Sequence, residues 1–297
     1  MSIKRRFPWF LKIPTKIILS RLPVSPDMWR HLGIFRHGTM DDPMSALQIY
    51  ARHFRWFNPK RSREGYTGLE IGPGDSIASG LLTALHGGAC TYLVDQTDDA
   101  QHDMALYRNM LAAFRDKGFD TGRLDASRDF DDLCRRSGTV YLTNGLASLR
   151  SLPAGSIDFI FSNAVLEHVP RRDFEPLVAE TRRLLGTGGV CSHGIDLRDH
   201  LGEALNNLRF SDRMWESPFM ARSGFYTNRI RYREMLGIFQ RAGFHVDVVE
   251  TVTWDRLPTS RSRLAPRFRV LSKDDLRVSS FDVLLTTEGS PPGHEKP

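Results

Sequence analysis

Residues 69–76, LeuGluIleGlyProGlyAspSer, run an apolar strand into an acidic residue and a Gly-Pro-Gly turn, and no other stretch restricts the fold as much. Glycines lacking a Cβ let the backbone bend sharply and lie against a ligand, and Pro73 fixes φ between them. Such a turn suits a nucleotide-like cofactor, the bland alternative being a tight connection at a strand end. A dinucleotide fingerprint, GxGxxG, finds Gly72 and Gly74 here but Ile77 in its third slot.

The chain around this turn alternates short apolar strands with helices. A helix over 42–57, with Asp42 as cap and Pro43 in its first turn, precedes a strand over 67–71 and a helix over 76–86. Strands follow at 89–95, 139–143, 157–162 and 189–195, with helices at 98–117 and 172–185. A polar stretch to Arg229, a helix over 232–242 and strands over 245–253 and 280–286 complete the pattern. The expected fold is α/β, a doubly wound, mostly parallel seven-stranded sheet with helices on both faces and an antiparallel C-terminal strand. In such a sheet the ligand lies beyond the carboxyl ends of the strands. Three units are expected: a basic, aromatic arm with a helix (1–64), a catalytic domain (65–288) with a lid or acceptor segment at about 200–231, and a disordered tail (289–297).

The second strand ends in Asp95, a carboxylate placed to accept both ribose hydroxyls of an adenosine. The fourth strand runs through AspPheIlePheSerAsnAlaValLeuGluHisVal (158–169), preceded by LeuProAlaGlySerIle and followed by LeuLeuGlyThrGlyGlyVal. Together with acid-x-Gly-x-Gly-x-Ser at 70–76, these segments resemble the motifs of class I S-adenosylmethionine (SAM) methyltransferases, the bacterial type 11-like enzymes among them. The resemblance covers residues 68–196 well and says nothing of the arm. It implies SAM as cofactor, with Glu70, Gly72, Pro73 and Gly74 in the donor loop, Asp95 on the ribose and Gln96 beside the adenine. Asn163 and Ala164 close the cofactor from the fourth strand. Leu146 and Ala147 stand where many members carry an acidic residue for the adenine amine.

Methyl transfer to a hydroxyl needs the nucleophile held in line with the methyl–sulfur bond and a base to take its proton. The candidates are His168, His193, Asp196 and His200, gathered where the fourth and fifth strands end. The bland readings are a backbone-bonded histidine at a helix start, and turn capping by Asp196 with a solvent-facing His200. A GluxxGluHis metal motif would need an acid at Ala164, so no metal is expected. Tyr226, Asn228 and Arg229 are candidate acceptor contacts, and Trp215, Phe219, Phe225 and Tyr226 are alternatively a satellite core.

The formal charge of +6 over 297 residues is localised. Residues 1–30 carry seven basic side chains against Asp27, which is the whole excess. Interleaved with Phe7, Trp9 and Phe10, this composition suits an anionic membrane surface, or else an arm packed on the domain, and argues against nucleic acid. No apolar run is long enough to span a bilayer and no signal peptide is visible, so a cytoplasmic location is expected, with peripheral contact at the inner membrane face. Three isolated cysteines offer neither a disulfide framework nor a metal site. The expected activity is O-methylation of a small-molecule or glycan acceptor, lipid-linked in one version. The rivals are a nicotinamide-dependent oxidoreductase and a non-catalytic SAM-binding protein.

Overall fold

The computed structural model describes residues 9–10, 39–57, 65–221 and 223–287. The rest of the basic arm and the expected disordered tail lie outside the described residues. Helix α1 (Pro43–Phe54) starts where the sequence marks it, with Asp42 Oδ1 accepting from Ser45 N at 2.8 Å and Pro43 in the first turn. Strand β1 (Thr67–Ile71) leads through the glycine turn to α2 (Ala78–Leu85), then β2 (Cys90–Val94) and α3 (Met104–Asp116). Next come α4 (Gly122–Asp125), α5 (Phe130–Ser137), β3 (Thr139–Leu142), α6 (Leu146–Ser151), β4 (Ile157–Asn163) and α7 (Arg171–Leu184). Strand β5 (Leu185–Asp196) is followed by α8 (Asp212–Trp215), α9 (Pro218–Ala221), α10 (Tyr232–Arg241) and β6 (His245–Thr253). Helices α11 (Pro266–Arg269) and α12 (Lys273–Arg277) precede β7 (Val278–Thr286).

The seven strands pair in the order β3-β2-β1-β4-β5-β7-β6. Strands β1 to β5 run parallel, and β7 lies antiparallel between β5 and β6. The order reverses between β1 and β4, so the cleft beyond their carboxyl ends is the topological switch point. Alternation along the strands divides the core in two. Leu69, Ile71 and Ile160 face α6, α7 and α10, whereas Phe159 and Phe161 face α1, α2, α3 and α5.

Helix α1 covers the sheet itself. Tyr50 packs edge-on against Phe159 and Phe161, and its hydroxyl bonds that of Tyr66 at 2.9 Å. Arg52 pairs with Asp282 on β7, and His53 Nδ1 meets Ser192 Oγ on β5 at 2.8 Å. Strand β5 starts four residues earlier than its sequence pattern suggests. Its opening LeuGlyThrGlyGly is bent at Gly188, whose φ of 79° is left-handed, and the pairing with β4 shifts register between Ile157 and Phe159. The polar stretch after β5 is a small folded unit. Leu201, Trp215, Met220, Phe225 and Tyr226 form a buried cluster of their own. Among the described residues no helix is long and apolar enough to cross a membrane.

Candidate active site

The glycine turn has the geometry its sequence demands. Gly72 and Gly74 sit at φ 73° and 69°, in the left-handed region that L side chains avoid. A Cβ on Gly72 would fall 2.5 Å from Val165 Cγ2, so the loop after β4 closes directly over the turn. Ser76 replaces the last glycine of the motif for a local reason: its buried hydroxyl donates to the Met40 carbonyl and accepts from Ala78 N, tying the segment before α1 to the start of α2. Ile77, in the third slot of a dinucleotide fingerprint, is fully buried in the core.

Glu70 lies beneath this loop, 2 % exposed, and its Oε2 has no hydrogen-bond partner. Burial, reinforced by the nearby Asp95 charge, raises its carboxyl to about 8. A buried carboxyl with an open acceptor, under a turn where Gly72 leaves no room for a Cβ, fits a cationic amino-acid-type ligand lying on that turn. Asp95, half-buried at the end of β2, accepts from Gln96 N at 2.7 Å. The Gln96 carboxamide lies over Gly145, where a Cβ would come within 2.1 Å of its Nε2. Gly145 was missed in the sequence, although an Asn-Gly pair just after a strand is a turn signal. Leu146 and Ala147 open α6 beside it, Leu146 packed on the core and Ala147 exposed. Across the switch point Asn163 ends β4 opposite Gly194, and Ala164 takes φ 54° while its N–H bonds the Gly194 carbonyl at 2.8 Å. A left-handed alanine stores strain there, on the order of 1 kcal/mol or more.

Two of the four candidate bases come together. His168, after β4, and His200, after β5, stack with ring centroids 4.8 Å apart and Nε2 atoms 3.0 Å apart. His168 Nδ1 lies 2.8 Å from the Tyr226 carbonyl, which can only accept, so that nitrogen carries its proton and Nε2 presents the lone pair. His200 Nε2 then donates to it. The other two candidates are engaged elsewhere. His193 is 2 % exposed within β5, bonded to Ser162 Oγ at 2.8 Å and stacked near Phe239, and burial lowers it to about 3. Asp196 holds Arg198 in a two-pronged ion pair, Nε–Oδ1 2.9 Å and Nη2–Oδ2 2.7 Å, which is the turn-capping alternative.

The three candidate acceptor contacts are each held by bonds within the protein, and Asn228 and Arg229 also line a small cavity. Asn228 is 1 % exposed: its N–H bonds the Glu167 carbonyl at 2.7 Å, and its carboxamide bonds those of Leu166 and Val169 at 2.8 and 3.0 Å. Arg229, with a fully buried side chain at φ 59°, pairs with Asp212 at 2.6 Å and Glu216 at 3.3 Å above the rings of Trp215 and Phe268. The Tyr226 hydroxyl donates to Glu216 at 2.7 Å, and its carbonyl is the one that orients His168. The stretch after β5 thus grips the loop that carries the histidine. Glu167 in the same loop is 2 % exposed, has Oε2 without a partner and is raised to about 8 by burial. A small cavity beside it is lined by Asp196, Asn207, Thr227 and Arg229. Among the described residues no group of three or more His, Cys, Asp or Glu is arranged to hold a metal ion.

Residues 69–192 match the family described as "Methyltransferase domain". No curated protein matches the chain. Among solved structures it is similar to a Haemonchus contortus phosphoethanolamine N-methyltransferase 2 bound to phosphomonomethylethanolamine and S-adenosylhomocysteine (15 % identity, TM-score 0.44, 82 % of this chain and 53 % of that one). The chain therefore spans about half the length of that enzyme. It is also similar to the YcgJ protein of Bacillus subtilis (15 %, TM-score 0.42, 82 % and 97 %). A third similar structure is an arsenic(III) SAM methyltransferase from Chlamydomonas reinhardtii (16 %, TM-score 0.43, 76 % and 65 %). The acceptors in those names belong to those proteins. The family match favours the methyltransferase resemblance over the nicotinamide reading: residues 69–192 match a methyltransferase domain.

Proposed function

We propose that this enzyme transfers the methyl group of SAM to a hydroxyl of a small-molecule or glycan acceptor, with the His168–His200 pair receiving the hydroxyl proton. One observation carries the reading: two stacked imidazoles at the carboxyl ends of β4 and β5, with the tautomer of one fixed by a backbone carbonyl. A hydroxyl is a poor nucleophile until its proton leaves, and an imidazole lone pair held in place is suited to take it. His168 is exposed and His200 half-buried.

SAM, when bound, supplies an electrophilic methyl on a cationic sulfur that departs as a neutral thioether. Gly72, Pro73 and Gly74 would hold its amino-acid end above Glu70. Asp95 would accept from the ribose, and Gln96, Leu146 and Ala147 would border the adenine. Asn163 and the left-handed Ala164 would close the cofactor on the β4 side. The acceptor proton passes to His168 Nε2 as His200 Nε2, the donor of the resting pair, gives up that contact, and the imidazolium so formed keeps its Nδ1–H bond to the Tyr226 carbonyl.

The test is transfer of labelled methyl from SAM to a panel of sugars, phenols and lipid-linked glycans. His168→Gln should lower kcat by about 10²- to 10⁴-fold while S-adenosylhomocysteine still binds with unchanged affinity. Turnover unaffected by the change would remove the histidine from the chemistry, and methylation confined to amines would overturn the hydroxyl assignment. The proposal extends to location: residues 1–30, with their +6 charge, hold the enzyme at an anionic membrane face where a lipid-linked acceptor resides. Deletion of residues 1–30 should abolish sedimentation with phosphatidylglycerol vesicles; equal sedimentation of the truncated protein refutes the membrane contact.

A further inference from the structure

Trp9 lies inside the basic segment, far in sequence from every motif of the methyltransferase domain, yet it is seated on the unit that grips His168. Its ring lies edge-on to Phe210, centroids 6.3 Å apart, with the Arg209 guanidinium 4.9 Å from the ring centroid. Phe210 stacks on Trp215 at 5.3 Å and an interplanar angle of 23°. Trp215 is fully buried, stacks on Tyr226 at 6.4 Å and 23°, and donates its indole N–H to the Thr227 carbonyl at 2.7 Å. The Tyr226 carbonyl is the acceptor that sets His168 Nδ1. Four aromatic rings therefore run without a break from the N-terminal segment to the backbone group that decides which nitrogen of His168 is basic.

We propose that Trp9 is a positioning residue for methyl transfer, acting through Phe210, Trp215 and Tyr226 on the tautomer and orientation of His168. Aromatic rings in a packed stack have few alternative placements, so a shift at one end is passed on as a shift at the next contact. Trp215 cannot follow a displaced Phe210 without lengthening its bond to Thr227, the residue after Tyr226. The Tyr226 carbonyl is held from a second side through its own ring, whose hydroxyl is fixed by Glu216 and Arg171 N. Loss of Trp9 leaves the glycine turn, Glu70 and Asp95 untouched, so it acts on the proton-accepting pair and leaves the donor site alone. The inference rests on the reading of His168 and His200 as that pair.

The experiment uses the full chain with ¹⁵N-labelled histidine, His168 being assigned by its loss in His168→Gln. In the wild-type protein His168 should show the Nδ1–H tautomer. In Trp9→Ala the His168 signals should shift toward a mixed tautomer and its titration midpoint should move, while Trp9→Phe restores both and S-adenosylhomocysteine binds all three proteins alike. Arg209→Gln, which loosens Trp9 from outside the stack, should give the same change with smaller amplitude. His168 signals and midpoint unchanged in both Trp9→Ala and Arg209→Gln overturn the inference, even if the unfolding temperature falls. Failure of the wild-type protein to bind S-adenosylhomocysteine would instead count against the proposed function.

Discussion

At Gly72 two demands coincide: a φ of 73° and a Cβ position already occupied by Val165. Gly72→Ala should therefore cost roughly 1–3 kcal/mol from backbone strain alone, and more from the clash, with S-adenosylhomocysteine binding lost in calorimetry. Adding Val165→Ala should return part of the stability, because it empties the contact while leaving φ strained. A Gly72→Ala protein that binds the product normally would show that the ligand does not use this turn. Ser76 makes the complementary point. Its φ is not positive, so no glycine is required, and the hydroxyl is spent on joining Met40 to α2. Sequence comparison with the motif shows a substitution, and only the hydrogen bond explains it.

Arg229 shows how an element beyond the sheet holds the site. Its guanidinium is buried between Trp215 and Phe268, ties Asp212 and Glu216 to the Phe210 carbonyl, and so fastens α8 to the chain that grips Glu167 and His168. Replacing it by Met keeps the volume but leaves the Phe210 carbonyl without its donor, and leaves Asp212 to Arg267 and Glu216 to the Tyr226 hydroxyl alone, so Arg229→Met should lose about 1–3 kcal/mol in urea unfolding. A loss below about 1 kcal/mol would mean that the ion pairs contribute little beyond hydrophobic packing. Neither the burial of Arg229 nor its role as a fastener was legible in GlyPheTyrThrAsnArg, because an arginine beside aromatics in a polar stretch reads equally well as a ligand contact. The satellite core was legible as an alternative, and it holds for Trp215, Phe225 and Tyr226, but Phe219 remains 49 % exposed.

Across the whole molecule four buried titratable groups set a pH profile. Burial lowers His53 to about 4 and His193 to about 3, and raises Glu70 and Glu167 to about 8. The histidines contribute stability that is present above their unfolded value of 6.5 and is lost as pH falls toward 4 and 3. The glutamic acids contribute stability that is present below their unfolded value of 4.5 and is lost as pH rises through about 8. Between pH 4.5 and 6.5 the two slopes oppose each other and stability should be nearly flat. From pH 6.5 to 8 only the glutamic slope remains, on the order of 2 kcal/mol for each group. Thermal unfolding without ligand should thus show a falling midpoint from pH 6.5 to 8, and Glu70→Gln with Glu167→Gln should flatten it. A doubly substituted protein with the wild-type slope would place the alkaline loss elsewhere.

The sequence by itself determined the layered α/β class, the alternation of strands and helices along the chain and the glycine turn, because these depend on local periodicity and on glycine stereochemistry. It also brought His168 and His200 into one set of candidates, since both lie just beyond strand ends that must meet at the switch point. It could not separate them from His193 and Asp196. Whether a histidine on or after a strand faces a core helix or a cleft depends on which neighbour covers it. Phe239 on α10 covers His193, and Arg198 occupies Asp196. The same holds for Tyr226, Asn228 and Arg229, whose partners stand 10 to 62 residues away in the chain. Tertiary structure decided these placements because a hydrogen bond or a packed ring is fixed by what approaches through space, and no local pattern records that approach.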